Sequence, residues 1–225
     1  MKKDTEKKEM RSFAVIGMGR FGTELAIRLH KAGKEVLAID DSKDRIDSIG
    51  DLVTTAACAD ATNQDILMTL GVQNMDCAVV AIGSDLEASV LITMNLKSIG
   101  VPYIICKANN EVHSTILEKL GADEVIIPEK EMAQKKSRIL ASNGLVQCFE
   151  LAQGYSVEER KPLEAWIGKS VFETNIRAKY GLNVIAVNRG GKISAPTADI
   201  VLSETDNLFL FGSDTDLAKL DKESK

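Results

Sequence analysis

Between residues 13 and 128 the chain repeats one alternation, a short apolar run followed by a longer amphipathic stretch. The runs are FAVIG, EVLAID, LVTTAAC, CAVVAIG, YIICKA and EVIIP. They do not alternate apolar with polar residues, as a strand with one wet face would. Each run is therefore expected to be a strand buried on both faces. The stretches between them carry apolar residues at helical spacing: Leu25, Leu29 and Ala32 in FGTELAIRLHKAG, and Leu86, Val90 and Met94 in DLEASVLITMNLKSIG. Gly33, Gly71, Gly100 and Gly121 fall where such helices would end. Repeated strand–helix units of this kind give a parallel sheet with helices on both faces. The expected fold class is α/β, a Rossmann-like doubly wound sheet over residues 12–140.

After ASNG at 141–144 the pattern changes. LVQCFEL, YSVEERK, NVIAVNR and NLFLFG read as strands, with one helical segment near 170–180 and turns at RGGK and ETDN. A small α+β domain is expected over 145–225, linked to the first by a helix from about Met132 to Ser142. Residues 1–11 are polar and mixed in charge, without the apolar core of a signal peptide, and read as a flexible tail.

Composition narrows the function classes. The formal net charge of -5 argues against a general nucleic-acid or anionic-membrane binder. No apolar stretch reaches the roughly 18–20 residues that span a bilayer, so the expectation is a cytoplasmic protein whose membrane role runs through a partner. Cys58, Cys77, Cys106 and Cys148 are far apart and form no CxxC pair. They read as buried reduced thiols. His30 and His113 read as helix-surface residues.

Chemistry concentrates at the ends of the apolar runs. Gly17, Gly19 and Gly22 make G-x-G-x-x-G directly after one strand and before a helix. The first glycine permits the turn, the second lets backbone approach a pyrophosphate, and the third lets helix and strand pack closely. The helix N-terminus then faces the phosphates. Arg20 and Phe21 lie inside the motif, and Arg20 places a fixed positive charge where most such turns have none. Asp40 ends the second run, where a carboxylate accepts ribose hydroxyls and repels a 2'-phosphate. Asp41 reads as a helix residue and Ser42 as a capping candidate. Asp60, Ala61 and Thr62 follow the third run, beside the place of an adenine. Gly83 and Ser84 follow the fourth. Asp60 and Ser84 can instead cap the helices that follow. Lys107 after the fifth run can face phosphate, and Glu129 after the sixth can hold a metal ion. No Walker lysine and no Ser/His/Asp or Cys/His set accompanies them, and the second domain holds no histidine.

Together FAVIGMGRFG, VLAID, CADAT, VVAIGSDLEASVL, YIICKA, ILEKLGADEVIIPEKEMA and NIRAKYGLNVIAV resemble the KtrA/TrkA-type RCK proteins, regulators of potassium conductance. The resemblance runs from about residue 12 to 215. It implies a cytosolic, non-enzymatic gating subunit held on the inner membrane face by an integral potassium-translocating subunit of the KtrB/TrkH type. It implies homodimers that close into an octameric ring. It implies ATP or ADP as ligand, or NAD/NADH in TrkA-like members, on Gly17, Gly19, Arg20, Phe21, Gly22, Asp40, Asp60, Ala61, Thr62, Gly83, Ser84 and Lys107. Arg20 would reach the terminal phosphate of nucleotide in the neighbouring subunit. Glu129 would bind a cation (Mg2+, Ca2+ or Na+) at the dimer contact. In the second domain Ile176, Arg177, Ala178 and Pro196 match a cyclic di-AMP pocket, though the basic end of NIRAKYG also suits a helix C-terminus. An NAD-dependent oxidoreductase is the alternative.

Overall fold

The computed structural model describes residues 10–83 and 85–223. The first nine residues of the expected tail, and Ser84, lie outside them. The chain divides into two compact units, residues 1–129 and 130–225.

In the first unit the strands are β1 (Ser12–Ile16), β2 (Glu35–Asp40), β3 (Thr55–Cys58), β4 (Cys77–Val80), β5 (Ile104–Lys107) and β6 (Glu124–Ile126). All are parallel, in the order β3-β2-β1-β4-β5-β6. Between them lie helices α1 (Arg20–Lys31), α2 (Lys43–Ile49), α3 (Gln64–Thr69), α4 (Leu86–Ser98) and α5 (Glu111–Lys119). This is the doubly wound order, with the chain reversing direction across the sheet between β1 and β4. Successive strand residues point to opposite faces, and both faces are covered. Ala14, Ile16, Leu37 and Ile39 enter one core cluster, while Val15, Val36 and Ala38 enter another. That is why the runs do not alternate. The edge strands β3 and β6 are only partly buried. Gly33, Gly71, Gly100 and Gly121 take φ between +76° and +100°, just past helices, as expected.

Helix α4 departs from the expected pattern. Leu86 and Met94 are 51% and 49% exposed, while Ser89, Ile92, Thr93 and Leu96 are buried. Val90 of the expected stripe packs against the core at partial burial, but the fully buried face is the one with two hydroxyls. Ser89 and Thr93 are tolerated there because they are bonded. Thr93 Oγ1 donates to the Ser89 carbonyl at 2.7 Å, and Ser89 Oγ lies 3.2 Å from His113 Nε2. His113 is therefore a core histidine, 3% exposed, and not a helix-surface residue. Its burial lowers its pKa. The thiols also divide: Cys77, Cys106 and Cys148 are buried, whereas Cys58 is exposed. Burial pushes the Cys77 and Cys106 thiols up to about 12 and about 11.

The second unit begins within helix α6 (Pro128–Ala141), which starts ahead of the expected Met132. It continues through β7 (Leu145–Ala152), β8 (Tyr155–Arg160), α7 (Val171–Thr174), α8 (Ile176–Tyr180), β9 (Asn183–Arg189), β10 (Lys192–Ser194), β11 (Asp206–Ser213) and α9 (Asp214–Glu223). The expected helix near 170–180 is broken in two at Asn175, whose φ is +51°. The strands form an antiparallel sheet, β10-β9-β11-β8-β7. Its Val187, Leu208 and Leu210 pack with Tyr180, Leu217 and Leu220 of α8 and α9. The charged strand β8 sits inside because Glu158 and Arg160 are paired and Glu159 accepts hydrogen bonds from Asn188 and Asn207. Buried Arg160 bonds Glu158 at 3.1 Å and Asp221 at 2.8 Å, and Arg138 adds a 3.0 Å contact to Glu158. Burial raises the Glu158 pKa, against the opposing pull of Arg160 and Arg138.

Candidate functional site

The C-terminal ends of the parallel strands build one crevice-bearing edge. Gly17 leaves β1 at φ +97° and donates its N–H to the Ile39 carbonyl at 2.8 Å. A Cβ on Gly22 would stand 2.0 Å from the Gly17 carbonyl oxygen, so only glycine lets α1 begin this close to the turn. A Cβ on Gly19 would meet nothing within 4 Å, so the outer face of the turn is open. Gly19 is also the N-cap of α1. No side chain caps the helix and no acidic residue stands in its first turn. The N–H groups and dipole of that end are thus left for an external anion. Arg20, the first helical residue, is exposed. Phe21 instead packs against the core on the α1 side.

Asp40 is buried and already engaged. Its Oδ2 accepts the Met18 N–H at 2.6 Å and its Oδ1 accepts the Ser42 N–H at 2.9 Å. Arg45 Nη1 stands 3.4 Å from Oδ2. The carboxylate braces the glycine turn against the end of β2, and a ribose hydroxyl would share oxygens that the backbone uses. Sequence reading missed the brace and Arg45; the one available signal was an arginine in the helix after Asp40.

Asp60 does not cap α3, whose N-cap is Asn63. It closes its own turn, accepting the Thr62 N–H at 2.9 Å and hydroxyl at 2.6 Å. The Thr62 hydroxyl bond, foremost, lowers its pKa. Asn95 of α4 donates to the Thr62 carbonyl at 2.7 Å, and Ala61 is buried. The expected adenine-side loop is therefore rigidly held. At the next strand end a Cβ on Gly83 would lie 2.7 Å from Asn109 Oδ1 and 3.4 Å from Lys107 Nζ. Beside it a cavity of about 490 Å³ is lined by Gly83, Leu86, Asn109, Val112 and His113 among others.

Lys107 and Glu129 meet. Lys107 Nζ lies 2.7 Å from Glu129 Oε1, the lysine side chain 14% exposed and the glutamate 68%. This bond, foremost, holds the Glu129 carboxyl below its usual range, and the charge of Arg20 contributes. Arg20, Lys107 and Glu129 thus share one electrostatic neighbourhood. No group of three His, Cys, Asp or Glu side chains among the described residues can hold a metal ion. One chain brings a single carboxylate there, Glu129, and Lys107 is its partner.

The fold has counterparts in known proteins. The TrkA-N domain model matches residues 13–128 and the TrkA-C domain model residues 158–225. The chain is 37% identical to Ktr system potassium uptake protein C of Bacillus subtilis (strain 168) over 213 residues, 94% of this chain and 96% of that protein. It is 36% identical to protein A of the same system and organism over 214 residues, 95% of this chain and 96% of that one. The chain belongs to the KtrA/TrkA-type RCK family. Its fold also matches the crystal structure of the GsuK RCK domain, with a TM-score of 0.67 and 20% identity over 99% of this chain. This RCK chain spans 48% of that longer one. No helix among its described residues is long and apolar enough to cross a membrane.

The C-terminal part of this RCK protein has a groove of its own, about 640 Å³, along α7, α8 and the start of β9. Ile176 and Arg177 line it, but Ile176 is 2% exposed and belongs to the core. Arg177 and Ala178 are exposed, Pro196 is half-buried, and neither Ala178 nor Pro196 lines the groove.

Proposed function

We propose that this chain is the nucleotide-responsive regulatory subunit of a potassium uptake system, acting by binding and gating rather than by catalysis. One observation carries the reading: an exposed arginine opens a helix whose N-terminus is uncapped and lies behind a braced glycine turn. The names of the B. subtilis relatives supply the physiological setting. In this reading ATP or ADP lays its phosphates on Gly17, Gly19 and Gly22, with the ribose at Asp40 and the adenine near Asp60, Ala61 and Thr62. Arg20 points across a homodimer contact at the terminal phosphate held by the neighbour. A guanidinium is permanently charged and forks onto phosphate. ATP and ADP then favour different dimer geometries, because a ligand shifts an equilibrium only by its differential affinity for the two states. Dimers assemble as an octameric ring on the cytoplasmic face of the membrane, beneath the potassium-translocating subunit.

Calorimetric titration tests the reading. Arg20→Ala is expected to weaken ATP more than ADP. Equal losses for the two nucleotides would sink it. NAD and NADH enter the same titration as competing ligands for the glycine turn. Cyclic di-AMP is a second ligand of the same protein in this reading, supported by Arg177 at the mouth of the C-terminal groove; Arg177→Ala should remove its binding and leave that of ATP intact.

A further inference from the structure

The loop after β3 is held from several sides. Ala59 donates its N–H to the Asp40 carbonyl at 2.9 Å, and Asp60 closes the turn on Thr62. Buried Ala61 plugs the loop into the core cluster that also takes Leu67 of α3 and Ile92 and Leu96 of α4. A further hold comes from far along the chain. Asn95 Nδ2, on α4, donates to the Thr62 carbonyl at 2.7 Å. Asparagine is a poor residue for a helix interior, because its amide competes for nearby backbone groups. Here the amide leaves its own helix and bonds the neighbouring loop. Helix α4 is a fixed post for that bond. Its Thr93 hydroxyl lies 3.3 Å from Cys106 Sγ of β5, and its Ser89 hydroxyl 3.2 Å from His113 Nε2 of α5. Asp60 and Asn63 of the loop are exposed. The helix is therefore the anchored partner, and the loop is the part being positioned.

We propose that Asn95 is a positioning residue for the base of the nucleotide, holding the loop at Ala61 and Thr62 in the shape that the base meets. The inference rests on the nucleotide reading above and adds to it a side chain that acts through the loop rather than on the ligand. A loop already held in shape loses less freedom on binding than a mobile one, so the bond to the Thr62 carbonyl contributes affinity. That contribution belongs to the base end of the ligand. It is therefore the same for a diphosphate and a triphosphate, unlike that of Arg20.

The test compares full-length wild type, Asn95→Ala and Asn95→Leu, with ATP and ADP as probes in calorimetric titration. The two variants differ in size, but both lack the donor and both are better helix formers than asparagine. Each is expected to bind ATP and ADP more weakly by the same factor, roughly two- to tenfold, the scale of one hydrogen bond. The thermal midpoint in buffer without nucleotide should fall by less than about 4 °C. Backbone amide exchange at residues 61–63 should quicken in both variants. Unchanged affinity would overturn the proposal. So would a loss in Asn95→Leu alone, as an effect of bulk, or a larger loss for ATP than for ADP, as an effect at the phosphates. A larger fall in midpoint, with faster exchange throughout residues 12–126, would reduce Asn95 to a general structural role and overturn it too. Unchanged exchange at 61–63 would sink this inference and leave the nucleotide reading standing. If the wild type binds neither ATP nor ADP, the nucleotide reading itself falls and takes this inference with it.

Discussion

At Gly22 one added carbon would sit 2.0 Å from the Gly17 carbonyl oxygen, and at Gly19 it would meet nothing within 4 Å. The two glycines of one motif therefore have different surroundings, packed at Gly22 and open at Gly19. Gly22→Ala is expected to cost about 2–3 kcal/mol by overpacking, read by denaturant unfolding. Gly19→Ala should leave stability within about 0.5 kcal/mol yet weaken nucleotide binding, because its methyl group enters the open face. A second residue sets an acid limit. Buried Asp206 accepts Arg189 Nε and Nη2, each at 2.7 Å, and this pairing holds its carboxyl below the usual range. The native state thus binds fewer protons than the unfolded chain. The stabilisation is complete above the ordinary carboxylate pKa of about 4 and is lost as pH falls through the depressed value. Asp206→Asn should be less stable at pH 7 and show a flatter decline below about pH 4 in chemical denaturation.

Helix α4 shows what the pattern of residues conveys and what it does not. Strands β1, β2 and β4 were legible because full burial leaves an unbroken apolar run, and the glycines after α1, α3, α4 and α5 were legible because they need positive φ. The buried side of α4 was not, since a helix apolar on two sides gives no periodicity to read. Landing against α5 and the sheet selected the side with Ser89 and Thr93, whose hydroxyls find partners only in the folded chain. His113 was misassigned for the same reason: its partner Ser89 is 24 residues away. The glycine turn was read correctly as a turn, but the Asp40 brace depends on a buried contact to Met18 that no local motif encodes. The two sides of α4 separate in thermal or chemical melts. Ile92→Ala should cost about 2–5 kcal/mol, while Met94→Gln should stay within about 0.5 kcal/mol. The reverse order would restore the Leu86–Val90–Met94 stripe as the core.

Across the whole molecule the hydrophobic interior is divided. The residues flanking the parallel sheet form two clusters, and those of the antiparallel sheet a third. The ionic belt of Arg138, Glu158, Arg160 and Asp221 belongs entirely to the second unit. So does Trp166, the chain's only tryptophan, which is 4% exposed and meets the Tyr180 ring edge-on at 5.7 Å. The glycine turn lies in the other unit. Indole emission is therefore an intrinsic reporter on the half of the protein that lacks the proposed ATP site. Followed through a melt, it records the unfolding of the C-terminal core. ATP is expected to raise that midpoint only by as much free energy as passes from one unit to the other. The shift, compared with that of a probe in the N-terminal unit, is a direct reading of how much of the nucleotide signal crosses the chain.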